Sequence, residues 1–130
     1  YYIDTPTHKV DAFDYDIETG NISNRRPVIE VPVEIGYPDG MTIDTEGMLW
    51  IAPWGAGKVI RCNPKTGEYL AAVPCRALQT TACAFGGPDL RDLYITTAAV
   101  EAGMPRGENA GGLFRARPGS QGHPMPPFAG

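Results

Sequence analysis

The 130-residue sequence is short of several things, and each shortage closes off a class of function. It has no apolar run of 18 residues, which excludes a transmembrane helix. It has 11 Lys and Arg against 15 Asp and Glu, a formal net charge of −4. Nucleic acids and anionic membranes need clustered basic side chains, so neither is an expected partner. It has two histidines, and neither has a second His or Cys at ligand spacing. Its three cysteines, Cys62, Cys75 and Cys83, are spaced by 13 and 8 residues, which matches no zinc pattern. Cys62 and Cys83 lie in apolar strand-like runs and read as buried reduced thiols, which favours the cytoplasm. No amphipathic run is long enough for a stable helix.

What is abundant points to β structure. Glycine (16) and proline (13) punctuate short apolar runs, and the hydrophobic fraction of 42% supplies a core. The acidic charge is concentrated at one end. Ten of the carboxylates lie in residues 1–46, with only Lys9, Arg25 and Arg26 to oppose them.

A repeat organises the chain. Tyr2-Ile3 followed by Lys9-Val10-Asp11-Ala12-Phe13-Asp14 aligns with Trp50-Ile51 followed by Lys58-Val59-Ile60-Arg61-Cys62-Asn63. Both align with Tyr94-Ile95 followed by Leu113-Phe114-Arg115-Ala116. The offsets are 48 from Ile3 to Ile51 and 44 from Ile51 to Ile95. A period in the mid-forties with four short strands per unit is the mark of a β-propeller blade. Residues 39–74 hold a whole blade. Its expected strands are 41–44, 48–53, 58–63 and 68–74, with Pro64-Lys65-Thr66-Gly67 as a type I turn. Residues 1–33 supply strands two to four of an earlier blade. Residues 80–117 supply strands one to three of a later one, with an insertion at 100–109 and an extended tail at 118–130. The expected fold is therefore all-β: a partial β-propeller of under three four-stranded antiparallel blades. A closed ring needs typically 4–8. The missing blades are expected upstream of Tyr1 or from another chain.

The first strand of each propeller blade lines the central channel, so loops entering it aim side chains at one mouth. Asp39 stands just before strand one of the central blade, between Pro38 and Gly40. A carboxylate held there can bind a divalent cation or serve as general base. The same Pro-Asp-Gly is also ordinary turn chemistry. Thr80 and Thr81 hold the corresponding place in the next blade, and Thr81 is a candidate for substrate contact at the same mouth. Asp44 reads as a hairpin-turn residue. Asp14-x-Asp16-x-Glu18 lacks the Gly and Glu positions of an EF-hand loop and reads as solvated surface. Trp50 reads as packing, and Trp54 as a loop residue at the edge of a mouth.

Several consecutive strings carry a family resemblance. They are Tyr1-Tyr2-Ile3-Asp4, Val10-Asp11-Ala12-Phe13-Asp14-Tyr15-Asp16, Ile22-Ser23-Asn24-Arg25-Arg26, the ten residues from Pro38 to Gly47, Leu49-Trp50-Ile51-Ala52, Ala84-Phe85-Gly86-Gly87 and Leu93-Tyr94-Ile95-Thr96. Together they resemble the C-terminal part of the family of regucalcin (senescence marker protein 30), gluconolactonase and the luciferin-regenerating enzyme. The resemblance implies a six-bladed ring with a divalent cation (calcium or zinc, with manganese or magnesium as alternatives) at one mouth. It implies hydrolysis of aldonolactones to the acids. It makes Asp39 both a metal ligand and the general acid/base. The family's other ligands, a Glu of the first blade and an Asn, map upstream of Tyr1, so the site is expected to be incomplete in this chain. A non-enzymatic calcium-binding regulatory or interaction propeller is the competing expectation.

Overall fold

A computed structural model describes residues 1–100 and 105–127. Ten strands form three antiparallel sheets, and one 3-10 turn at Thr5–Thr7 is the helical content of the described residues. The first sheet is β1 (Tyr2–Asp4), β2 (Lys9–Tyr15) and β3 (Ile22–Glu30) in that order. The second is β4 (Tyr37–Ile43), β5 (Leu49–Trp54), β6 (Lys58–Cys62) and β7 (Tyr69–Pro74). The third is β8 (Thr80–Gly86), β9 (Asp92–Thr97) and β10 (Leu113–Ala116). Every neighbour in a sheet is also its neighbour in sequence, which makes each sheet a meander, the connectivity of a propeller blade. The chain is a partial β-propeller.

The packing explains the sequence of β5. A half-exposed strand would alternate apolar and polar residues, but residues 49–53 are all buried. Leu49 and Ile51 face the first sheet, in a core with Val10, Ile29, Val31, Ile60 and Cys62. Trp50 and Ala52 face the third, in a core with Val59, Cys83, Leu93 and Ile95. A blade held between two others buries both faces, so its second strand is apolar throughout. The outer strand β7 is mostly exposed, as is β3 except at its inner end.

Two expectations on strand limits need adjustment. β4 begins at Tyr37, so Asp39 lies inside the first strand rather than before it. Trp54 ends β5, opposite Tyr37 and bridged to Gln79, because the ladder runs on past the expected loop. The tail also differs from a merely extended segment. Ser120 and Gly122 are buried, and Gly122 bridges Asp44. The insertion of 100–109 lies partly outside the described residues. Its described part is tied back by an Ala77–Gly107 bridge and an Arg76–Glu108 ion pair.

Candidate active-site mouth

Strand direction fixes which side chains share a mouth. β4 enters at Tyr37 and leaves at Ile43, so Asp39 lies at the entry end and the 44–48 turn at the opposite end. Asp39 sits in a β-bulge. Pro38 pairs with Pro53 and Met41 with Ile51, so three steps along β4 match two along β5. A bulge bends the strand and re-aims the side chain of the extra residue. β8 repeats the device: Thr80 pairs with Thr97 and Ala82 with Thr96, which leaves Thr81 extra. The registers thus put Thr81 in β8 where Asp39 stands in β4.

The two bulges touch through glycine. A Cβ on Gly40 would meet the Ala82 Cβ, lie 2.7 Å from the Ala82 Cα and 2.8 Å from the Thr81 carbonyl oxygen. Any side chain at position 40 would push the blades apart at the Asp39 end. On the other flank, the Thr5 hydroxyl donates to the Pro38 carbonyl at 2.8 Å, joining the first sheet to the same corner. The Thr81 hydroxyl is hydrogen-bonded to that of Thr96 at 2.7 Å, an exposed pair beside the bulge. His8, left-handed at φ 58°, rests on the ring of Tyr37 with centroids 4.7 Å apart.

Asp39 differs from every other aspartate. Asp4 and Asp11 pair with Arg25, Asp14 with Arg26, Asp44 with Arg61, and Asp89 and Asp92 with Arg117. Asp16 accepts the Glu18 and Thr19 amides of its own turn. Among the described residues the Asp39 side chain has no hydrogen bond and no ion pair. It is exposed, yet neighbouring atoms exclude enough water to push its carboxyl above the usual carboxylate range. A raised, unpartnered carboxylate in a bulge makes a better proton acceptor and leaves its lone pairs open to a cation. It fits one position of a divalent-metal site. Among the described residues no three His, Cys, Asp or Glu side chains converge to complete one.

The other candidates sort differently. Asp44 is fully buried rather than a simple turn residue. Its Oδ1 accepts the Glu46 and Met48 amides at 3.0 and 2.9 Å. Its Oδ2 accepts Trp50 Nε1 at 2.9 Å and Arg61 Nε at 2.8 Å. Burial raises this carboxyl, and the bonds from Trp50, Met48 and Arg61, with the Arg61 charge, more than offset it and hold it low. Sequence reading missed this cluster, although an Asp, a Trp and an Arg at matched strand positions were its signal. Asp14 and Asp16 are exposed, each engaged within its own hairpin, as a solvated face requires. Cys62 and Cys83 are buried and unpaired, their thiols pushed up to about 11 and about 12 by burial.

Comparison with known proteins gives this geometry a family. The sequence signature "SMP-30/Gluconolactonase/LRE-like region" matches residues 1–99. The chain belongs to the SMP-30/gluconolactonase/LRE-like family. It is 46% identical to regucalcin of Sus scrofa over its whole length, covering 45% of that protein. It is 47% identical to regucalcin of Homo sapiens, with 88% of the chain and 40% of the relative covered. Among solved structures, a luciferin-regenerating enzyme superposes with a TM-score of 0.81 at 36% identity, over 95% of this chain and 42% of that one. A calcium-binding protein, regucalcin, from Agrobacterium tumefaciens gives a TM-score of 0.81 at 28% identity, over 93% and 42%. The chain thus spans under half the length of its family relatives. Among the described residues no helix is long and apolar enough to cross a membrane.

Proposed function

We propose that the protein containing this chain is a divalent-cation-dependent lactonase that hydrolyses aldonolactones, with Asp39 as a metal ligand and its general acid/base. The observation that carries the reading is Asp39 itself: a raised carboxyl with no side-chain partner, carried on a bulge at the entry end of β4. Membership of a gluconolactonase family supports the reaction class. The description of the Agrobacterium relative as calcium-binding supports calcium, with zinc, manganese or magnesium as alternatives. The bound cation supplies polarisation of the lactone carbonyl and a lowered water pKa. Asp39 orients the attacking water and takes its proton. The water oxygen bonds to the carbonyl carbon, the ring C–O bond breaks, and the proton passes to the departing ring oxygen. Thr81, equivalent to Asp39 in the next blade, offers its hydroxyl to the sugar hydroxyls, with Thr96 holding it in place.

One carboxylate does not satisfy calcium, which takes 6–8 oxygen ligands. On this reading the remaining protein ligands are supplied by preceding blades or another chain. Two buried unpaired thiols fit a reducing cytoplasm.

The test is hydrolysis of glucono-1,5-lactone, followed by acid release, with each cation in turn. Asp39→Asn should lower turnover by about 10²–10⁴-fold while circular dichroism is unchanged. The 130-residue chain alone should show negligible turnover. Turnover by that chain that Asp39→Ala abolishes would overturn the incompleteness of its site. A second reading, a calcium-binding regulatory propeller without catalysis, rests on the calcium-binding description of that relative. Tight calcium binding with no lactone turnover in the whole protein would favour it.

A further inference from the structure

The mouth opposite Asp39 carries a construction of its own. Two turns meet there, 44–48 between β4 and β5, and 87–91 between β8 and β9. The segment 117–122 is laced across both. Arg117 pairs with Asp89 and Asp92. The Arg91 guanidinium donates to the Gly119 carbonyl at 3.3 Å, and the Gln121 side-chain Nε2 to the Asp89 carbonyl at 2.9 Å. The Gly122 amide donates to the Leu90 carbonyl at 2.8 Å. From the central blade, the Thr45 amide donates to the Gln121 carbonyl at 2.8 Å, and Asp44 bridges Gly122.

This lacing is seated inward. A Cβ on Gly122 would meet the Phe85 side chain, 2.7 Å from its Cγ, so only glycine lets the backbone lie against β8. Beyond it, His123 and Met125, both exposed, edge a cavity of about 200 Å³ between the two innermost strands. Its walls are residues 41–43 of β4 and 83–85 of β8. The buried thiol of Cys83 is one of them.

We propose that residues 117–122 are a strap that clamps these two blades together at the mouth opposite Asp39. Their backbone and side chains tie both turns, and the strap keeps the seam between β4 and β8 closed over Cys83. The proposal does not depend on the reaction assigned to Asp39.

Cys83 and Cys62 provide the test, one beneath the strap and one in the other core cluster. The protein containing this chain is exposed to a small maleimide at pH 8 without denaturant, and each cysteine is followed by peptide mass mapping. Two variants are compared with the parent. His123→Gly with Met125→Gly changes only the exposed residues beyond the strap and leaves its bonds. Gly122→Val displaces the strap itself. Cys83 should label several-fold faster in Gly122→Val, with Cys62 unchanged, and at the parent rate in the double variant. Equal Cys83 rates in the parent and Gly122→Val would overturn the proposal. So would a parallel rise at Cys62 in Gly122→Val, since that marks general loosening instead of an opened seam.

Discussion

Removing the Asp44 carboxylate should cost more stability than any other single acidic substitution in the chain. The carboxylate accepts four hydrogen bonds, using both oxygens twice. Asp44→Ala leaves Trp50 Nε1 and most of the Arg61 guanidinium without acceptors, and the Arg61 side chain is only 16% exposed. Arg61 retains Glu46 at 3.2 Å, which is largely solvated. Breaking a buried charge pair from one side costs about 3–5 kcal/mol, and the exposed Glu46 contact recovers little of it. The assay is urea unfolding followed by circular dichroism, since Trp50 is itself a contact and its fluorescence would shift regardless. Asp44→Asn should also be costly, because its amide nitrogen would face either two backbone donors or the Trp50 and Arg61 donors. Adding Arg61→Met to Asp44→Ala should recover part of the loss by removing the stranded charge, a coupling of about 0.5–3 kcal/mol. A cost below about 1 kcal/mol for Asp44→Ala, or strict additivity in the double variant, would refute the account. pH gives an independent check. The Asp44 carboxyl is held low in the fold, so its contribution is present above the unfolded value of about 3.9 and fades as pH falls through the folded one. Asp44→Asn should flatten that acid limb.

Gly40→Ala should destabilise by about 1–3 kcal/mol, since its Cβ falls on β8 backbone that cannot swing aside; an unchanged urea midpoint would contradict the close approach. The same variant should weaken calcium binding by calorimetry in the whole protein, because it displaces the bulge that carries Asp39. Among the thiols, half-buried Cys75 should react first with a maleimide, ahead of Cys62 and Cys83, whose thiols burial pushes up to about 11 and about 12. Thr96→Val should raise KM for a polyhydroxylated lactone more than for an unsubstituted one, with kcat little changed; equal effects on both would remove Thr81 and Thr96 from substrate recognition.

Much of the fold was legible because β structure writes local signals. The period in the mid-forties, the Thr-Gly turns and the proline before Lys65 placed the strands to within a few residues. β5 was the clearest, since a strand buried on both faces shows as an unbroken apolar run. The blade edges at the mouth were less legible. Bulges at Asp39 and Thr81 depend on which residues of the neighbouring strand they face, and no local pattern records that. Asp39 was singled out from its Pro-Asp-Gly context, but its lack of any partner became visible only when the seven other aspartates were seen engaged.

Sequence alone determined the all-β repeat and the family and picked out Asp39 as a candidate, because each rests on short-range order along the chain. Tertiary structure alone decided what the acidic residues do. Asp39 and Asp44 are five residues apart on one strand and its turn, and both looked like turn chemistry. One sits in a bulge, exposed and with no side-chain partner. The other is sealed under Trp50 and Arg61, where desolvation makes every unpaired donor costly. The strap was decided the same way: residues 117–122 have no periodic signal, and only the meeting of two turns from different blades gives their backbone groups something to bind.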